Sequence, residues 1–215
     1  FDADNDGVIV FYKFPYRKGG FVYHPFEIAL QASADDASSY FQGKIENLRI
    51  GLKNKRMEGA SEKDLPPEVK LDSLLRKGVS REAALTWLER NMKRVGPGAA
   101  VWHYDFDNAY NDVEVKRPWG SAFGQAHVIR AFAKAYLETG KARYRDIALA
   151  AAKTYGIPIK DGGFKATLSD GSVFFEEVPV EPASHILNGH MISTIALLEL
   201  NSQFPTPWLK KLSSE

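Results

Sequence analysis

Glu176 and Glu177 stand side by side in a short aromatic segment, FFEEVP, and His185, Asn188 and His190 follow at the start of an otherwise apolar run. Carboxylates, imidazoles and a carboxamide so close in sequence are the side chains of acid–base chemistry. Polar groups at the mouth of a buried helix are costly unless they are hydrogen-bonded or used. In a strand, residues 176 and 177 point to opposite faces, so at most one of the two glutamates faces a pocket directly. One reading makes them edge carboxylates bonded to backbone or to a cation. The other makes one of them a general acid or base, its pKa raised by Phe174 and Phe175. His185 and Asn188 are three apart and share one face of a helical turn, with His190 elsewhere on the wheel. A helix N-terminus at that point favours an anionic ligand such as a carboxylate, although the same residues also serve as local caps.

Other stretches carry further candidates. Trp119 precedes a helix whose first turns hold Gly120, Gly124 and Gln125. The glycines allow close approach of a ligand or of another helix, and Trp119 is either a stacking platform for a sugar ring or part of the core. Gln125 and His127 lie about 200° apart on the wheel, so one pocket cannot receive both. Trp102, His103, Tyr104, Asp105 and Asp107 form a mixed aromatic and polar segment that either lines a saccharide groove or caps a sheet edge. Asp2, Asp4, Asp6 and Gly7 fit half of a calcium loop, but Lys13 occupies the place of its bidentate glutamate, which favours a simple Asx turn. No Ser-His-Asp order, P-loop or dinucleotide fingerprint is present.

The elements that must position these residues follow from periodicity and punctuation. The opening FDADNDGVIVFYKFPY reads as a turn and a strand. A first helix is expected over about 26–41, with Ile28, Ala29, Ala32 and Ala37 at helical spacing. From Gln42 to Gly78 the text is polar and poorly periodic, broken by Pro66 and Pro67, and reads as an insertion or linker within a single domain. Ser80 is the expected N-cap of a helix running to about Val95, stopped by Gly96, Pro97 and Gly98. Ala99–Asp107 reads as an aromatic strand or extended loop. Helices at about 120–138 and 142–155 form an αα-hairpin, and residues 164–167 and 172–175 form a β-hairpin around Ser169-Asp170-Gly171. The last helix is expected from Ser184 to about Leu200, with Pro205 and Pro207 preventing continuation. The resulting fold class is mainly α, with small β-hairpins at one end. The last helix is apolar on nearly every side after Asn188 and calls for neighbours all around it. Left uncovered, it would lead to homodimerisation or aggregation.

Lys plus Arg number 28 against 27 Asp plus Glu, for a net charge of +1. No basic run suggests nucleic-acid binding. There is no cysteine, so disulfides and cysteine-held metals are excluded. No apolar run reaches the ~20 residues that a transmembrane helix needs. The start at Phe1 reads as that of a processed or excised product, and compartment is not readable.

The patterns PW..AFGQ..VIR...KAYLETG and FFEEVP...SHILNGHM...I.LLEL resemble the C-terminal catalytic region of the D-glucuronyl C5-epimerase family. GGFVYHPFEIALQA is similar to that family's Tyr-Asn-Pro segment, with His24 where Asn is usual. The resemblance spans Pro118–Leu200 and extends to Gly19–Ala32 and Trp102–Asp107. It implies an incomplete α/α barrel, or toroid, of helical hairpins. It also implies inversion of carbon 5 of D-glucuronate in an acidic polysaccharide or oligosaccharide, by proton abstraction and reprotonation without a redox cofactor. By the family pattern Glu177, with Glu176 beside it, belongs to the catalytic segment. Tyr23, His24, Tyr104, Trp119, Gln125, His185 and Asn188 are the candidate substrate-binding residues.

Two departures bear on turnover. The tyrosine that follows the glutamate in the family is Val178 here, and two later family tyrosines would fall beyond Glu215. The expectation is therefore a substrate-shaped site with compromised or absent epimerase turnover. The competing classes are an α/α-barrel glycoside hydrolase or lyase and a non-catalytic polysaccharide-binding protein. A hydrolase would need carboxylates on opposite walls, roughly 5–9.5 Å apart. Adjacent glutamates do not supply that pair, although Asp105 or Asp107 could complete one.

Overall fold

The computed structural model describes residues 2–4, 6–13, 20–57, 59, 79–110 and 113–214. Asp4 shapes the first turn: its Oδ1 accepts the backbone N–H groups of Asp6 and Val8 at 3.0 and 2.9 Å. This Asx turn folds β1 (Asp2–Ala3) onto β2 (Ile9–Lys13), which pairs antiparallel with β3 (Gly20–Val22). Helix α1 (Pro25–Ser33) begins with proline at its first position, where a missing N–H costs nothing. Ile28, Ala29 and Ala32 are buried as their spacing predicts.

The expected helix to Phe41 is in fact two. Ala34 turns extended, and Asp36 starts α2 (Ala37–Met57) by accepting the Ser38 N–H at 3.0 Å and the Ser39 hydroxyl at 2.6 Å. The stretch expected as linker from Gln42 is thus helical as far as Met57. Pro66 and Pro67 lie outside the described residues. Phe41 and Ile45, one turn apart, bury against Ile9 and Val79 and so fasten α2 near β2.

Ser80 caps α3 (Arg81–Asn91), its hydroxyl accepting the Ala83 N–H at 3.0 Å. The helix stops at Asn91 rather than near Val95, because Lys93–Val95 is strand β4, paired with β5 (Ala99–Val101). Gly96-Pro97-Gly98 is therefore a hairpin turn instead of a helix stop. A second small ladder joins β6 (Asn108–Tyr110) to β7 (Val113–Val115). Helices α4 (Ala122–Thr139) and α5 (Ala142–Lys153) form the expected αα-hairpin across a left-handed Gly140, and a 3-10 turn follows at Thr154–Gly156. Strands β8 (Lys165–Thr167) and β9 (Val173–Phe175) form the expected β-hairpin. Helix α6 (Leu187–Gln203) begins later than Ser184, and Pro207 starts α7 (Pro207–Leu212), a short helix that Thr206 caps.

The protein is mainly helical, with small paired strands. The helix with neighbours on several sides is α4, which touches α1, α3, α5 and α6. Its buried positions include Ala122, Ala126, Ala131, Ala133 and Ala135, whose small side chains let the surrounding helices come close. The last long helix, expected to be covered all round, instead leaves Leu187, Met191, Ile195 and Leu198 between 42% and 62% exposed. Inside, the Gln125 carboxamide donates to Ala100 O at 2.6 Å and Ala151 O at 3.0 Å, tying α4 to β5 and α5. Thr154 Oγ1 donates to the same Ala100 carbonyl at 2.7 Å.

Replacing the Gln125 carboxamide by an isosteric hydrocarbon would leave the buried Ala151 carbonyl without this donor. Gln125→Leu is expected to lower stability by about 1–3 kcal/mol in urea unfolding. His127 gives a pH test. Burial between Phe26 and Phe123, then Arg130, holds its pKa down to about 4. The unfolded chain takes up this proton near pH 6.5 and the folded chain only near 4, so this contribution to stability falls as pH drops through that window. The difference between wild type and His127→Gln, followed by urea unfolding from pH 7.5 to 4, should show that slope.

Candidate functional site

The β8–β9 hairpin delivers the two glutamates. Asp170 tightens its turn by accepting the Ser172 N–H and hydroxyl at 3.0 and 2.6 Å. Immediately after β9, the Glu176 N–H donates to Phe164 O at 2.9 Å; the strand ends at Phe175, so the expected alternation does not apply, and the two carboxylates find different partners. Both are buried, but in different company. Glu176 is fully enclosed. Its Oε2 accepts the Ser184 hydroxyl and the His185 backbone N–H, each at 2.9 Å, and its Oε1 lies 2.6 Å from His185 Nδ1.

Glu177 turns instead toward the first turn of α6. A Cβ built on Gly189 would fall 2.3 Å from Glu177 Cβ and 2.9 Å from its Oε2, so only glycine permits this approach. Burial pushes the Glu177 carboxyl above the usual carboxylate range, and a hydrogen bond with the Asn188 side chain draws it partway back. Its Oε2 is buried without a hydrogen-bond partner. A carboxyl that is desolvated and under-bonded keeps its proton to higher pH than an exposed one.

His185 does not share a helical face with Asn188, as spacing alone suggests. It precedes α6 with φ of 50°, a left-handed conformation, and Ile186 is the residue at the helix boundary. His190, one turn into the helix, stacks on Phe174 at 4.5 Å, and its Nδ1 accepts the Phe175 N–H at 3.1 Å. That bond stitches the hairpin to α6.

Val178, next to Glu177, is fully buried in an aromatic cluster with Tyr104, Phe106, Val115 and Trp119. Tyr104 and Trp119 stack at 4.3 Å and exchange backbone hydrogen bonds. The Trp119 indole N–H donates to Phe106 O at 2.7 Å. Trp119 therefore presents no open ring face, being 5% exposed. His24 packs edge-on to Tyr104 at 4.8 Å. Through Val178, then, the structure links His24, Tyr104 and Trp119 to the segment that carries Glu177. Gln125 stands apart, with its amide spent on core carbonyls.

Tyr23 lies in a cleft of about 500 Å³ lined with Trp87, Asn91, Lys93, His103, Asp105 and, from the aromatic cluster, Phe106 among others. Its ring stacks on Trp87 at 5.1 Å and its hydroxyl donates to Asp4 Oδ2 at 2.8 Å. Burial, then the Asp4 hydrogen bond, pushes its pKa up to about 12, so it stays a protonated donor at neutral pH. Burial and the Lys93 charge hold His103 below the ordinary histidine range. Trp87, Asn91 and Lys93 escaped the sequence reading because all three were assigned to one amphipathic helix. The strand-like Lys93-Arg94-Val95 before Gly-Pro-Gly was the available signal. For Ser184 there was none.

Residues 98–214, more than half of the chain, match the sequence model of the family described as D-glucuronyl C5-epimerase C-terminus. Over 121 residues the chain is 30% identical to the D-glucuronyl C5-epimerase of Caenorhabditis elegans, an alignment covering 55% of this chain and 19% of that protein. The matched part is thus about a fifth of that relative's length.

The contact at Gly189 has a measurable consequence. Gly189→Ala must push Glu177 away or shift the start of α6, with an expected loss of about 1–3 kcal/mol. Carboxyl ¹³C NMR should also show the Glu177 titration moving toward that of an ordinary glutamate. An unchanged titration in a variant of wild-type stability would contradict the contact.

Proposed function

The chain belongs to the D-glucuronyl C5-epimerase family through its C-terminal region, and on that premise we propose that it handles glucuronate residues of an acidic polysaccharide, with Glu177 as the proton carrier at carbon 5. The observation that carries this reading is the Glu177 carboxyl, which is buried, pushed up in pKa and left with an unpartnered oxygen. Removing a proton alpha to a carboxylate requires a base of matched pKa, and a desolvated glutamate meets that requirement better than an exposed one. The cleft beside Tyr23 supports a saccharide ligand: the half-open Tyr23–Trp87 pair suits the C–H face of a pyranose, and Lys93 offers a cation to the carboxylate of a uronate other than the one at Glu177.

Inversion needs a second proton carrier on the opposite face of the sugar. At the position where the family pattern has tyrosine, Val178 is an apolar side chain enclosed by Tyr104, Phe106 and Trp119. That favours the second reading, a site that binds its saccharide with little or no inversion. For the fold we infer an incomplete α/α toroid. The antiparallel α4–α5 pair and the gathering of α1, α3 and α6 about α4 support that arrangement.

Heparosan incubated with the chain in D₂O is expected to remain free of iduronate. Glu177→Gln is expected to keep oligosaccharide affinity within about threefold, and to cut any deuterium incorporation at carbon 5 at least a hundredfold. Iduronate formation by the wild-type chain would overturn the low-turnover reading. Deuterium incorporation undiminished in the variant would overturn the role of Glu177.

A further inference from the structure

Glu176 takes no part in the proton transfer assigned to its neighbour, yet it is fully buried and its side chain is committed to one short segment. Its Oε2 accepts from Ser184 Oγ and from the His185 backbone N–H. Its Oε1 sits 2.6 Å from His185 Nδ1, an ion-pair separation, although no donor is aligned on that oxygen for a hydrogen bond. With Nδ1 held against the buried carboxylate, Nε2 is the ring nitrogen left for a ligand. The backbone of His185 is held left-handed, with φ of 50°, a conformation uncommon outside glycine and found where surrounding structure over-determines it. The ring packs edge-on to Phe174 at 5.1 Å while its side chain remains 48% exposed.

That exposed side lines a second cleft, of about 580 Å³, together with Lys160, Lys165, Thr167, Ser169 and Glu181 among others. None of its lining residues is shared with the cleft beside Tyr23. Two ammonium groups, two hydroxyls and an imidazole around one carboxylate make a surface for an anionic, hydroxyl-rich ligand.

We propose that this cleft is a second acidic-saccharide site, in which His185, positioned by Glu176, hydrogen-bonds a sugar hydroxyl while Lys160 and Lys165 meet a carboxylate or sulfate. The ligand class rests on the function proposed above, but the site is independent of the chemistry at Glu177. In this arrangement Glu176 is a positioning residue and His185 the residue that touches the ligand. The FFEE segment then has two separate roles, one for each carboxylate.

The test is ¹⁵N NMR of the His185 ring nitrogens in the full chain, titrated with heparosan hexasaccharide, its N-sulfated form, inorganic sulfate and neutral maltohexaose. The acidic saccharides are expected to shift Nε2 saturably, and maltohexaose is not. Sulfate alone moving the ring as far as the saccharides do would mean a simple anion site and overturn the saccharide assignment. Read from the backbone amides of Lys160 and Lys165, binding should weaken about tenfold in His185→Phe, which keeps an aromatic ring against Phe174, and stay unchanged in Glu177→Gln. In Glu176→Gln the ring should exchange tautomers, with Nε2 becoming the protonated nitrogen. A merely structural Glu176 would not produce that signature. Saccharide binding reported by residues around Lys93 with the His185 ring unmoved would overturn this site alone. Absence of acidic-saccharide binding at either cleft would overturn both this site and the function proposed above.

Discussion

Helix α4 can be touched by α1, α3, α5 and α6 only because its buried positions are largely alanine and glycine. Close approach is what the remaining architecture builds on. At Gly124, a Cβ would fall 2.2 Å from the Tyr104 hydroxyl oxygen, so the Tyr104–Trp119 stack exists because the helix has no side chain there. That stack closes over Val178, and Val178 leads the chain past Glu177 into the turn before α6. The second glycine contact, at Gly189, completes the path by setting α6 against the Glu177 side chain. Two absent methyl groups thus define where the carboxylate sits. Gln125 holds the frame in register, since its amide reaches a strand carbonyl and a helix carbonyl that a longer interhelix distance would separate.

Glu176 and Glu177 show how environment divides the work of identical side chains. Both follow the last strand residue, Phe175, so strand alternation gives neither a role. What separates them is the supply of donors. Glu176 meets a hydroxyl and a backbone amide at Oε2 and lies against an imidazole at Oε1. Glu177 meets a helix turn with little to offer beyond Asn188, and its burial is left partly uncompensated. Uncompensated burial lowers stability and holds the proton on the carboxyl to higher pH.

Much of this frame was readable from the sequence, for identifiable reasons. The α4–α5 pair and the β8–β9 hairpin carry strong periodicity and clear punctuation at Gly140 and Ser169-Asp170-Gly171, and Ser80 announces α3. The break between α1 and α2 was missed because no glycine or proline marks it, and only the capping by Asp36 reveals it. The end of α3 was misread because a Gly-Pro-Gly turn looks the same whether it stops a helix or joins two strands. At the site, residue types were informative and directions were not. Trp119 and Gln125 were chosen for their chemistry, yet both are engaged by carbonyls from distant segments that no local pattern reports. The left-handed His185 was invisible for the same reason, since the group that holds it arrives from another element.

The row formed by Leu187, Met191, Ile195 and Leu198 takes on a different meaning once Gly189 is placed. The exposed side of α6 and the side that presses on Glu177 belong to one rigid rod, with Leu187 and Gly189 in the same turn. Moving that helix as a body would therefore change the gap between Gly189 and the Glu177 side chain.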